Sequence, residues 1–301
     1  MPIAPSPSPE VADALASGSP VVALESTIFS RLGLPAPANA EALARSLAAV
    51  RASGAVPAVT AVLDGQVRIG LAEHEHERIL GDARKVAERD LAVSVAQRWA
   101  YGATTVSASL AIAHAAGVRV FATGGIGGVH RGAELSGDIS ADLDAIAHHP
   151  VVTVSAGAKA FLDLARTLEF LETAGVPVLG WQHDWFPAFY TRSSGLRCPY
   201  RVDAPADVAA ILASLPRVNT GVLVAAPIPV ADELAPALVD GALDRALGDA
   251  ALAGIVGAAV TPYLLGRIAD ATEGLSIPAN LALAENNARV AGLIASAIAH
   301  P

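Results

Sequence analysis

Short apolar runs of strand length alternate with longer, Ala-rich stretches along most of this chain, and that order constrains the fold more than any single motif. Residues 21–24, 59–63, 67–69, 118–122, 151–155, 176–179 and 221–225 each read as a strand. Asn39 precedes a helix that runs to about residue 53, and residues 72–97, 107–116, 139–148 and 160–173 read as helices, followed by another after Asp203 and three Ala/Leu-rich stretches ending near His300. Strands separated by helices run parallel through crossover connections. One exception is predicted: Asp64-Gly65 separates two strand-like runs by a two-residue turn, which pairs them antiparallel. The fold class is therefore α/β, with a mostly parallel central sheet and a small antiparallel strand pair. No linker or internal repeat interrupts residues 1–301, so a single domain is expected, preceded by a flexible Pro/Ser-rich tail over residues 1–10. The aromatic- and Pro-rich residues 183–201 read as a long ordered loop suited to a lid.

Apolar residues make up 53% of the chain and charged residues 16%, which excludes disorder and suits wide interior or subunit contacts. Aromatics are only 4%, so Ala, Val, Leu and Ile must fill the core, as in parallel sheets covered by helices. The formal charge is −9 and no run of Lys and Arg occurs, so a nucleic-acid partner is not expected. Any bound phosphate must be held locally by a few basic residues and backbone N–H groups. Cys198 stands alone, which excludes an intrachain disulfide and a Cys-based zinc site and fits a reducing compartment. The N-terminus lacks a basic start and a long apolar run, and no apolar stretch approaches the ~20 residues of a membrane span. A cytoplasmic chain with no membrane partner is expected.

Chemistry-bearing residues gather at the ends of the strand-like runs. Glu25 follows residues 21–24 directly, where parallel α/β folds place ligands, and its carboxylate suits either an acid–base role or the capping of the next turn. Lys159 follows residues 151–155 with small neutral residues before it. It reads either as a desolvated amine able to attack a carbonyl carbon or as a helix-start lysine whose head reaches water. Gly124-Gly125-Ile126-Gly127-Gly128 ends another run and either exposes N–H groups to an anion or forms a tight turn. Asp138, Asp142 and Asp144 with Ser136 and Ser140 supply hard oxygens suited to Mg²⁺ or Mn²⁺, although Asp138 equally suits a helix N-cap. His130 and Arg131 follow the glycine run and suit an anion, whereas His148-His149 reads as the solvated end of a helix.

Several motifs in chain order resemble the pseudouridine-5′-phosphate glycosidase family, also described as indigoidine synthase A-like. They include Ala23-Leu24-Glu25-Ser26-Thr27-Ile28, Arg84-Lys85-Val86, Gly102-Ala103-Thr104-Thr105-Val106 and Thr123-Gly124-Gly125-Ile126-Gly127-Gly128-Val129-His130-Arg131-Gly132. Further along come Asp138-Ile139-Ser140-Ala141-Asp142-Leu143, Ala156-Gly157-Ala158-Lys159, Phe186-Pro187-Ala188-Phe189-Tyr190 and Asn286-Asn287-Ala288-Arg289. The resemblance implies an α/β/α sandwich that assembles as a homotrimer. It implies reversible cleavage of the carbon–carbon bond of pseudouridine 5′-phosphate, giving ribose 5-phosphate and uracil. By the same resemblance, Lys159 is the nucleophile at C1′ and Glu25 the proton donor. One Mn²⁺ per subunit is held by Asp138, and Lys85, Val106, Ser140, Ala141 and Asp142 contact the substrate, with Thr123, His130 and Asn287 beside them. The chain departs from the family's usual pattern at Ser30-Arg31-Leu32-Gly33-Leu34-Pro35 and at His183-Asp184-Trp185. Two alternatives therefore stay open: a Schiff-base lyase for another C-nucleoside or sugar phosphate, and a non-catalytic sugar-phosphate sensor.

Overall fold

The computed structural model describes residues 4–216, 219–255 and 257–300. Among them, eleven strands form one sheet: β1 (Ser6–Pro7), β2 (Val21–Leu24), β3 (Val56–Leu63), β4 (Gln66–Ile69), β5 (Arg84–Val86), β6 (Tyr101–Thr104), β7 (Val120–Ala122), β8 (Val152–Ser155), β9 (Val178–Trp181), β10 (Tyr200–Val202) and β11 (Val222–Ala225). Their order is β1-β4-β3-β2-β7-β8-β11-β9-β10, with β6 branching from β3 and β5 pairing with β6. From β2 through β10 every pairing along this path is parallel, as the helix–strand alternation requires.

Each central strand buries both faces, so its successive residues feed two cores. Val22 and Leu24 of β2, and Val120 and Ala122 of β7, pack with Ala38–Ala52, Pro205–Ala213 and Ser276–Ala299. Ala23 and Phe121 pack on the opposite side with Val106–Ala115, Ala141–His148 and Leu164–Thr173. Every fully buried Val, Leu or Ile in these layers contributes roughly 1.5–3 kcal/mol, which fixes the sheet as the reference frame for the site.

The predicted hairpin is present, with Leu63 opposite Gln66 across Asp64-Gly65. β3 is long enough to use its other edge twice. Its first half pairs parallel with β2 and its second half antiparallel with β6, so the antiparallel part exceeds the expected pair. Three further expectations need correction. The supposed tail is ordered over Ser6–Pro7, which adds a parallel strand beside Arg68 and Ile69, and Ser8 caps the helix Pro9–Ser17. Residues 72–97 are not one helix. Val86 enters the core and pulls Arg84–Val86 into a strand beside β6, leaving short helical turns on either side. Asn39 does not precede its helix but lies within it, where its side-chain amide donates to the carbonyls of Phe29 and Leu80.

Candidate active site

The register of three parallel strands sets the site. Leu24, Ala122 and Val154 stand side by side, so Glu25, Thr123 and the segment leading to Lys159 emerge together at the carboxyl edge of the sheet. A cavity of about 550 Å³ opens there. Glu25 is buried, and the Thr123 hydroxyl donates to its Oε1. The backbone behind it is pinned by buried hydroxyls: Ser26 Oγ lies 3.1 Å from Thr104 Oγ1, which lies 2.8 Å from Thr60 Oγ1. Burial pushes the Glu25 carboxyl up from 4.5 to about 7, against the pull of the Lys159 cation and the Thr123 hydrogen bond. It is therefore an acid that holds its proton close to neutral pH.

The glycine run and the lysine loop interlock beside this carboxyl. Ile126 N–H donates to Gly157 O at 3.1 Å, and Lys159 N–H donates to Ile126 O at 3.1 Å. The Lys159 ammonium reaches Gly125 O at 2.8 Å while facing the cavity. Small residues are required here by space. A Cβ on Gly125 would stand 2.5 Å from the Phe189 ring, and one on Gly127 would overlap Ser140 Oγ. Phe189 itself sits at φ 65°, an unusual conformation for a bulky side chain, held by its N–H bond to Ala156 O at 3.1 Å.

The opposite wall carries the remaining charges. Lys85 projects from β5 into the cavity, and burial, then the nearby Lys159 cation, lowers its pKa, with Asp142, Glu25 and Asp138 opposing. Ser140, not Asp138, caps Ala141–His148, its Oγ accepting from Asp142 N–H at 3.3 Å. Asp138 is thereby left free to line the cavity, 3.9 Å from His130 Nδ1. Burial also lowers the His130 pKa, with Asp138 acting against it. Asp142 spends both carboxylate oxygens on backbone: Oδ1 accepts from Ser107 N–H at 3.0 Å and Oδ2 from Gly127 N–H at 2.8 Å. It fastens the start of Val106–Ala115 to the glycine run.

Residues 10–297 match the indigoidine synthase A-like protein family. The chain belongs to the indigoidine synthase A-like family. It is 51% identical over 295 residues to a protein of Methylobacterium nodulans named pseudouridine-5′-phosphate glycosidase, covering 96% of this chain and 87% of that one. A protein of the same name from Caldanaerobacter subterraneus is 49% identical over 293 residues, covering 96% and 94%. Among solved structures, the prealnumycin C-glycosynthase AlnA in complex with ribulose 5-phosphate superposes with a TM-score of 0.89 at 38% identity, covering 98% of this chain and 97% of that one. An indigoidine synthase A-like protein of Thermotoga maritima gives 0.88 at 32%, covering 100% and 98%.

Within this family frame, the structure gathers Glu25, Lys85, Val106, Thr123, His130, Asp138, Ser140, Ala141, Asp142 and Lys159 around one cavity. Asn287 is the exception. It is fully buried and does not line the cavity; its amide donates to Thr123 O at 2.8 Å and Gly124 O at 3.1 Å, so it supports the loop from behind. The sequence reading missed Asn280, which lines the cavity with a buried Oδ1 that has no protein partner. Its signal was a lone amide inside the apolar stretch Ala279-Asn280-Leu281. Ile28 stands with Asn280 against Gly124, and Phe189 against the neighbouring Gly125, which gives that part of the wall an apolar lining.

Among the described residues, no group of three or more His, Cys, Asp or Glu side chains is placed to enclose a metal ion. Asp138 offers a single partly exposed carboxylate, a donor set that fits a hard divalent ion carrying most of its own water. No helix among the described residues is long and apolar enough to cross a membrane.

Proposed function

We propose that this chain reversibly cleaves the carbon–carbon glycosidic bond of pseudouridine 5′-phosphate to ribose 5-phosphate and uracil, through an imine on Lys159. The observation that carries the reading is the pairing, in one cavity, of an amine on Lys159 with a buried carboxyl, Glu25, that is still protonated near pH 7. Pure binding of a sugar phosphate would need neither. The names of the relatives above and the ribulose 5-phosphate bound by AlnA support the substrate class.

The chemistry balances with these groups. The Lys159 ammonium first releases a proton to solvent; its amine then attacks C1′ as the C1′–O4′ bond breaks, the ring oxygen takes a proton from Glu25, and the attacking nitrogen returns a proton to the Glu25 carboxylate. Glu25 then delivers that proton to C5 of the base while the C1′–C5 bond breaks with its electron pair staying on the base, and the nitrogen lone pair fills the deficit left at C1′, forming the iminium. Water hydrolyses the iminium, releasing open-chain ribose 5-phosphate and the free amine, and the proton set free returns to the Glu25 carboxylate. Lys85, the first turn of Val106–Ala115 and Ser140 suit the phosphate, since a helix N-terminus and an ammonium both favour an anion. Asn280 offers the base a donor and an acceptor beside the apolar wall at Phe189. Asp138 is the residue that would hold Mn²⁺, largely through water, and the ion would supply positive charge beside the phosphate. A homotrimer and a cytoplasmic role in pseudouridine breakdown belong to the same proposal; Leu135, Val230 and Leu252, exposed on the single chain, are available for burial between copies.

Mass spectrometry after borohydride reduction of protein incubated with ribose 5-phosphate and Mn²⁺ tests the imine. A reduced sugar-phosphate adduct on Lys159, absent from Lys159→Ala, is expected. Its absence while ribose 5-phosphate still binds would replace the enzyme with a sensor. The likeness to a C-glycosynthase favours, as the second reading, the same imine chemistry on another ring system. Faster turnover of a different C-nucleoside monophosphate would select it.

A further inference from the structure

The expected solvated turn at His148-His149 holds for His148 alone. His149 folds inward between two elements, its side chain 14% exposed, with Nε2 3.1 Å from Glu88 Oε1 and Nδ1 3.1 Å from His114 Nδ1. A carboxylate only accepts hydrogen bonds, so the proton between the two groups sits on His149 Nε2, and in the neutral imidazole the lone pair of Nδ1 then faces His114. We propose that His114 and His149 form a binding site for a transition-metal cation of the zinc class, separate from the cavity that holds Glu25 and Lys159. The proposal is independent of the function argued above.

Three observations converge on it. Two nitrogens bound to one zinc at about 2.0–2.1 Å stand roughly 2.9–3.4 Å apart for bond angles between a right angle and the tetrahedral value. The two Nδ1 atoms stand 3.1 Å apart, with ring planes at 62°. Glu88 supplies the second feature. A metal-binding histidine almost always donates its other N–H to a carboxylate, a carbonyl or water, and His149 already does so. The third is the backbone field. His114 lies in the last turn of Val106–Ala115 and His149 caps the end of Ala141–His148, so two helix C-termini bring partial negative charge to the same place.

In the metal-free chain a proton on His114 Nδ1 fills the gap as a hydrogen bond. A cation entering there takes both lone pairs, and that proton passes through solvent to His114 Nε2. With no third His, Cys, Asp or Glu joining among the described residues, water completes the coordination. Donor chemistry separates this site from the cavity. Paired imidazoles favour zinc, nickel or copper, whereas the lone oxygen donor Asp138 favours manganese or magnesium. The two lie on one helix: Val106 lines the cavity and His114 sits eight residues further along, about 12 Å away.

Isothermal titration of the full chain, free of any affinity tag, with zinc chloride alone tests the site. One zinc per chain is expected, weakened more than tenfold in His114→Gln and in His149→Gln, by about 10- to 100-fold in Glu88→Gln, and unchanged in Asp138→Asn. Circular dichroism of each variant verifies that the fold is kept. The proposal is overturned if the wild-type chain binds no zinc, if both histidine variants bind as the wild type does, or if only Asp138→Asn loses binding.

Discussion

Glu25→Gln separates what the buried carboxyl does for the reaction from what it does to the fold. Gln is nearly isosteric and keeps an oxygen to accept from the Thr123 hydroxyl, so the main loss is the ionisable proton. Burial raises the folded-state pKa to about 7 from 4.5, which disfavours the ionised form in the fold by about 3 kcal/mol at about 1.4 kcal/mol per tenfold. The sign follows from proton linkage. Between pH 4.5 and 7 the folded state binds the proton that the unfolded chain releases, so stability is fully present below 4.5 and lost as pH rises to about 7. The variant has no such loss. Its stability relative to the wild type should therefore rise by roughly 2–3 kcal/mol between pH 5 and pH 8. Urea denaturation followed by tryptophan fluorescence, with Trp181 buried beside the sheet edge, measures both proteins at each pH. Activity should be lost at both. A stability difference that stays constant from pH 5 to pH 8 would refute the buried, proton-holding Glu25 on which the mechanism rests.

If the protonated carboxyl is the acid, the cleavage rate should fall about tenfold per pH unit above about 7; a rate that holds flat to pH 9 would assign the proton to another group. Asn287→Leu leaves Thr123 O without its buried donor and should cost about 1–3 kcal/mol of stability, with weaker turnover as the glycine run shifts. An unchanged denaturation midpoint with unchanged kinetics would show that the loop holds its shape without this amide.

Much of the site was legible because its residues sit at the ends of apolar strands. Glu25 follows such a run directly, Lys159 follows one after the three small residues Ala156-Gly157-Ala158, and the glycine run follows a third, so the alternation that identifies a parallel sheet also identifies the edge where its ligands collect. Asp138 was ambiguous between capping and ligation, since one carboxylate suits both. The fold resolved it by giving the cap to Ser140. Lys85 belonged to a stretch that reads as helix, because a three-residue strand carries too little periodicity to compete with its charged surroundings. Only the partner strand β6 makes it a strand.

Local sequence order determined the layers, the parallel core and the strand-end location of the chemistry, because side-chain periodicity and turn residues act over a few neighbouring positions. Contacts across long separations decided the rest. Thr123 meets Glu25, Asn287 reaches Thr123, Asn280 faces the same cavity, and His149 meets both His114 and Glu88. Each pairing depends on which strand lies beside which and on where each helix ends. That information resides in the packed sheet, where burial turns an ordinary carboxyl into an acid poised near pH 7.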